Sequence, residues 1–454
     1  MRTASHTAGT TQRCCCFFAA GSLPLPPFVA RPSDDNNDDI IIMECCPSRG
    51  SVWPRPSVSS LLVGLVALAA SSMFGTAVAA SSPSHGCGSA APAALSTMTE
   101  VNLTLSTAMG GDRHYFYWLP PSYNASLPSP LVLSFHGSGS SAALQASVDY
   151  FTIPDFNPKS SYVVVYPEAT FEDGTTQRMW QIAPEMAAQG IDDVGYVLAI
   201  LDDVRSHICI DNARIYASGM SQGGGMTNLL ACSPDTAAIF AAYAPVAGAY
   251  YYPYPNPATN SCRPTTDKLP CDPGRADIPI LAFHGGDDIV IDYEGGDRRG
   301  ACTPDIPYWA EQWALRDGLD TLDMGTYTSA SAIEGSLGSV IEKLGGSAER
   351  YTYGSGTTAG LVQLVFAGKN VGHVWPADFF RISQSSGQAV GTGTTQFNAS
   401  SLIMDFFGRY TLPDRLLPPS PTPSPTNAAM RVVGHQYSIL GFLSLAIALL
   451  SHVL

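Results

Sequence analysis

Positive charge is what this chain has least of. Its 454 residues carry 23 Lys+Arg against 38 Asp+Glu, a formal net charge of −15, and only 13% of residues are charged. No Lys/Arg cluster is longer than a pair. Nucleic acid is therefore not an expected partner, because phosphate binding draws on clustered cations. An anionic small molecule is not excluded, since a local pocket can differ from the mean. The 11 Cys fit no zinc spacing, so no metal is expected. The pattern shows no internal repeat, no second folded domain and no cellulose- or starch-binding module. What is abundant excludes wholesale disorder: 45% hydrophobic residues, including 20 Tyr, 18 Phe and 6 Trp. The length allows a large buried core.

Both ends read as processing signals. Residues 60–80, SLLVGLVALAASSMFGTAVAA, pass from an apolar stretch (about 60–74) into small residues. Val78 and Ala80 stand at −3 and −1 of a cleavage site, and Arg49 and Arg55 lie upstream. This is the pattern of a secretory signal peptide, with the mature chain starting near Ser81. Residues 1–42, with DDNNDD and a Cys triplet, read as lying upstream of a true start at Met43. A signal anchor that is never cleaved is the rival. At the other end, residues 413–426 form a Pro/Ser/Thr linker, PPSPTPSPT at its heart. Residues 427–454 then give small residues (Asn427, Ala428, Ala429), a polar spacer and an apolar tail. That order is a glycolipid-anchor signal with Asn427 as attachment site, which would tie the protein to the cell surface. A single membrane span is the alternative, although the tail, residues 439–454, is short of the ~20 residues a span needs.

Residues 81–412 remain as one domain. Six Cys lie in it: Cys87, Cys209, Cys232, Cys262, Cys271 and Cys302. An even count in a secreted chain suggests three disulfides of open connectivity. Sequons at Asn102, Asn124 and Asn398 are candidate glycosylation sites and agree with that route. Five short apolar runs read as strands: Leu131–Phe135, Tyr162–Tyr166, Arg214–Ser218, Pro279–Phe283 and Leu361–Phe366. Their continuous apolarity suggests strands covered on both faces. Helical spacing marks Asp192–Ile208 and Met226–Cys232. The alternation implies an α/β domain with a mostly parallel central sheet flanked by helices. Tyr250–Pro257 and the Gly/Ser/Ala-rich residues 317–360 read as insertions or lid-like loops.

The chemistry concentrates in Gly219-Met220-Ser221-Gln222-Gly223, between a strand and a helix. That context makes a nucleophile elbow, in which glycines permit a turn too sharp for a Cβ. A serine hydroxyl needs a base. His373, after the last strand, is the candidate, following the chain order Ser…Asp…His. The orienting acid lies in FHGGDDIVIDY, where Asp287, Asp288 and Asp292 compete. His136-Gly137-Ser138-Gly139 follows an early strand, so backbone N–H groups of Gly137, Ser138 and Gln222 are candidates for an oxyanion hole. His136, Trp180 and Trp375 are possible substrate contacts, although burial in the core is the plainer reading of the two indoles.

The run WQIAPEMAAQGIDDVGYV…ILDDV…CIDNARIYASGMSQGGGMTNLLAC, with FHGGDDIVIDYEGG and GHVWP, resembles secreted feruloyl esterases and the related poly(3-hydroxybutyrate) depolymerase-like esterases. The resemblance implies an α/β-hydrolase fold. It also implies a triad of Ser221, Asp288 and His373, with Asp288 standing where the family has the Asp of its HGxxD motif. No cofactor is implied. The implied substrate is an ester on plant polysaccharide, feruloyl above all; acetylxylan or a hydroxybutyrate polyester are alternatives. Leu319 stands where the family often has a Cys, and residues 319–360 depart from its pattern. Met220 and Gly372 stand where tannase-like esterases place paired cysteines. The rival from another class is a non-catalytic surface binding protein on a hydrolase scaffold.

Overall fold

The computed structural model describes residues 81–319, 340–354, 358, 361–379 and 394–418. The leader, most of the linker and Asn427 lie outside them. Ten strands form one sheet: β1 (Met98–Thr104), β2 (Asp112–Trp118), β3 (Ser129–Phe135), β4 (Val163–Pro167), β5 (Ile210–Met220), β6 (Ala242–Val246), β7 (Ile280–His284), β8 (Val340–Gly345), β9 (Ala348–Thr352) and β10 (Val362–Phe366). Their spatial order is β1-β2-β4-β3-β5-β6-β7-β10-β9-β8. The six strands from β4 to β10 run parallel, and the pairs at either edge run antiparallel. This is the α/β-hydrolase fold that the sequence led us to expect.

Side-chain alternation along the strands feeds two layers. Leu131, Leu133, Val163 and Val165 enter one cluster, while Val132, Val164 and Tyr216 enter the other. The first layer is closed by α2 (Asp193–His207), α3 (Gln222–Cys232) and α4 (Ile306–Arg316); the second by α1 (Ala142–Asp149) and α5 (Ala399–Phe407). Helix α2 shows why such a segment folds and docks. Asp192 caps it by accepting from Gly195 N at 2.8 Å, and Arg205 and His207 occupy its last turn. Its Tyr196, Val197, Ile200, Leu201 and Val204 make one buried stripe. On the opposite face Tyr216 stacks on Phe407 with ring centres 4.6 Å apart.

Three disulfides use all six domain cysteines: Cys87–Cys209, Cys232–Cys271 and Cys262–Cys302. One expectation is corrected. Residues 317–360 are not wholly loop, because β8 and β9 form a hairpin that extends the sheet beyond β10; residues 320–339 lie outside the described ones. Asn398 is buried and caps α5 by accepting from Ser400 N at 3.0 Å. Asn102 and Asn124 are exposed. Among the described residues no helix is long and apolar enough to cross a membrane.

Candidate active site

The site collects at the carboxyl edge of the central strands. Strand β5 ends at Met220, α3 begins at Gln222, and Ser221 between them takes φ 57°, ψ −120°. A non-glycine residue there is strained, and a tight strand-to-helix turn is what imposes the strain. The turn is held by Ser221 N donating to Val246 O and Ala249 N donating to Ser221 O, both at 3.0 Å. A Cβ on Gly219 would stand 2.7 Å from Phe135 O, and one on Gly223 would strike the Phe135 carbonyl too. The flanking glycines are thus fixed by the close approach of β3 as well as by the bend.

The acid and the histidine arrive on two loops that pack backbone to backbone. After β7, Gly286 N donates to Gly368 O (3.0 Å) and Asp287 N to Val371 O (2.9 Å). A Cβ on Gly285 would sit 2.6 Å from Gly372 O. This seam delivers Asp288 Oδ2 to His373 Nδ1 at 2.7 Å. Of the three acids left open above, Asp287 and Asp292 are exposed, and Asp292 caps its own turn at Glu294 N. Asp288 Oδ1 accepts from Val290 N (2.9 Å) and Ile291 N (2.8 Å). Burial would raise the Asp288 pKa. The neighbouring His373 charge, with hydrogen bonds from His284 and His373, holds it far below the ordinary carboxylate range.

Ser221 lies on the same sheet edge, 9% exposed. The structure joins Asp288 to His373 directly; among the described residues no hydrogen bond links Ser221 to His373.

The early loop is braced from behind. His136 Nδ1 lies 2.7 Å from Gly137 O, and Nε2 accepts from Ala169 N at 3.1 Å. Trp180 Nε1 donates to His136 O at 2.8 Å, and Gly139 N to Arg178 O at 2.8 Å. His136 and Trp180 are fully buried and Trp375 is nearly so, its Nε1 donating to Ser400 Oγ at 3.0 Å. Two of the three hold the loop that carries Gly137 and Ser138. Gln222 is buried as well, its Oε1 accepting from Trp180 N at 3.3 Å.

Two residues of this site escaped the sequence reading. His284 Nε2 lies 2.8 Å from Ile291 O and 3.2 Å from Asp288 Oδ2, so Asp288 faces a second imidazole. Its signal was the i, i+4 spacing inside FHGGDD. Glu168, one residue past β4, receives Arg178 Nε at 3.2 Å and Ala142 N at 3.3 Å and lies 3.2 Å from His136 Nε2. Burial opposes its charge, yet His136 and Arg178 lower its pKa below the usual value. Among the described residues no group of His, Cys, Asp and Glu is arranged to hold a metal.

The fold is that of the α/β-hydrolases. Residues 113–252 match the family model of esterase PHB depolymerases, so the resemblance read from the motifs is shown over that stretch. Feruloyl esterase B of Piromyces equi is 28% identical over 177 residues, 39% of this chain and 29% of that protein. Feruloyl esterase D of Neurospora crassa is 29% identical over 166 residues, covering 35% and 51%. A bifunctional acetylxylan esterase/xylanase of Neocallimastix patriciarum is 31% identical over 186 residues, covering 41% and 22%. The chain thus spans about half or less of these relatives' length. Acetyl xylan esterase from Aspergillus awamori, a solved structure, superposes with a TM-score of 0.42 at 16% identity, over 61% of this chain and 94% of that one.

Proposed function

We propose that the chain is an extracellular serine carboxylester hydrolase that releases hydroxycinnamic acids from feruloylated plant polysaccharide. The observation that carries this reading is the buried Asp288–His373 pair on the sheet edge that also bears the Ser221 elbow. Ser221 Oγ attacks the ester carbonyl while His373 Nε2 takes its proton. Asp288 accepts from Nδ1 and stabilises the imidazolium without itself becoming protonated. Charge developing on the carbonyl oxygen meets the N–H of Gln222 and of the Gly137–Ser138 loop. His373 then protonates the leaving alcohol, and the same imidazole activates water to hydrolyse the acyl-enzyme. No cofactor enters these steps. The printed names of the relatives support feruloyl esters as substrate, with acetylxylan second and hydroxybutyrate polyester third.

Hydrolysis of methyl ferulate by the purified protein tests the reading. Ser221→Ala is expected to lower kcat by ~10⁴-fold or more. No turnover by the wild type would instead favour the non-catalytic binding role, and turnover that survives Ser221→Ala would remove Ser221 as the nucleophile. The proposal extends to the ends: cleavage after residue 80, residues 81–412 as the catalytic domain, and a lipid anchor at Asn427 following the 413–426 linker. Release from cells by a phosphatidylinositol-specific phospholipase is the expected result, and retention would favour a membrane span.

A further inference from the structure

The acyl-transfer steps leave unused a polar group just beyond the elbow. Ala249, whose N–H holds Ser221 O, leads within two residues to Tyr251. Ile182 lies on the same side: a Cβ on Gly225 would meet Ala249 O and stand 3.1 Å from the Ile182 side chain. One turn further on, Glu185 Oε1 accepts from Arg299 Nε (2.9 Å) and Nη2 (2.8 Å). Arg299 Nη2 also lies 3.1 Å from Met179 Sδ, next to Trp180, whose N–H reaches Gln222. Burial pushes the Tyr251 phenol up, and the nearby Arg299 and Arg298 charges pull it partly back down while Glu185 adds to the rise. Helix 184–188, the segment after β6 and the 296–303 hairpin therefore meet near the Tyr251 phenol, two residues beyond the amide that holds Ser221 O.

Two atoms in this group are unmatched. Glu185 Oε2 and Arg298 Nε are each buried with no hydrogen-bond partner among the described residues. One is an acceptor and the other a donor, and each is costly to leave open. The cluster is not sealed, since the Glu185 and Arg299 side chains keep 32% and 27% of their surface. Ligand chemistry follows from the pairing. An anion would meet Arg298 but be repelled by Glu185, and a cation would meet the reverse. Neutral hydroxyls satisfy both, one donating to the carboxylate and one accepting from the guanidinium, and the alcohol side of a sugar ester is rich in such groups.

We propose that Glu185, Tyr251 and Arg298 form the subsite for the sugar carried on the alcohol side of the ester. The inference rests on the esterase reading above, and the test separates the two. Wild type, Glu185→Gln, Arg298→Leu and Tyr251→Phe are compared on methyl ferulate, which has no sugar, and on a feruloylated arabinoxylan oligosaccharide. The variants are expected to keep kcat/KM on the methyl ester and to lose about tenfold on the oligosaccharide, mainly through KM. Tyr251→Phe removes a single hydroxyl and guards against misfolding of the charge variants. An equal loss on both esters, or a loss on neither, overturns the subsite. In parallel, calorimetric titration of Ser221→Ala with the same oligosaccharide is expected to weaken about tenfold when Glu185→Gln or Tyr251→Phe is added. If the wild type hydrolyses neither ester, the esterase reading falls, and the titration still decides the subsite: unchanged binding overturns it.

Discussion

Asp288 and Glu311 are both withdrawn from water, at 4% and 0% exposure, yet they settle into opposite states. Asp288, at the end of the sheet, is met by backbone N–H of Val290 and Ile291 and by the rings of His373 and His284. Glu311, on α4, has no hydrogen-bond partner for either carboxylate oxygen among the described residues. Burial raises the pKa of both. His373 and His284 reverse the effect at Asp288, whereas at Glu311 nothing does, and burial together with the nearby Asp305 pushes it up to about 8. The lesson is that depth does not set the charge of a carboxyl; the donors around it do. One region has been built to keep an anion, and the other holds a neutral acid.

The largest effect that could break this comparison comes from the anionic side. Asp288→Asn keeps the shape but turns an acceptor of the His373 proton into a group that can donate. On methyl ferulate kcat is expected to drop by ~10⁴ with little change in KM; a loss below tenfold would show that the carboxylate charge is dispensable. Next in size is His284→Leu, which removes one donor and leaves Asp288 three. We expect kcat to fall by about 10–100-fold. A carboxylate with fewer donors is more basic and holds the His373 imidazolium more firmly, so the ascending limb of the pH–rate profile moves to higher pH. His284→Gln, which retains an N–H, is expected to recover most of the activity. A leucine variant with an unmoved limb would reduce His284 to a packing residue.

A third carboxyl sharpens the same point on the oxyanion side. Glu168 is nearly buried and draws donors from Arg178 and Ala142 beside His136. Glu168→Gln leaves Arg178 unpaired and frees the brace behind Gly137, for an expected loss of about tenfold in kcat. Steady-state kinetics on methyl ferulate at fixed pH measure it, and a change in KM alone would mean that the loop acts in binding.

The elbow was legible because its evidence is local: glycines, a serine, a strand before and a helix after, all within a few residues. The choice among Asp287, Asp288 and Asp292 was not legible from the residues alone. It depends on the seam between residues 285–287 and 368–372, a contact about 85 residues apart in sequence. Strand β6 escaped notice because Ala242-Tyr-Ala-Pro-Val246 is alanine-rich and carries a proline, which ordinarily argues against a central strand. The edge strands β1, β8 and β9 mix polar and apolar residues, so they lack the continuous apolarity that marked the interior ones. Glu311 was invisible for the converse reason. A glutamate in IPYWAEQWALR reads as a solvated position, and only packing against the sheet turns it inward.

That inward turn has a measurable sign. Glu311 titrates near 4.5 when unfolded and at about 8 when folded, so between these values the native state binds the extra proton. Its contribution to stability is complete below the unfolded value and is lost as pH rises toward about 8. Asp305, raised to about 6, and Asp317, raised to about 7, slope the same way. The difference between wild type and Glu311→Gln therefore isolates Glu311. The amide is neutral at every pH. The two proteins are expected to unfold at similar temperatures near pH 4.5, with the variant gaining stability steadily to pH 8, by about 5 kcal/mol, the linkage of a carboxyl whose pKa rises from 4.5 to about 8 on folding. Thermal unfolding across that window is the measurement. Parallel stability curves would mean that Glu311 stays ionised inside α4 and finds a partner there, which would erase the contrast with Asp288.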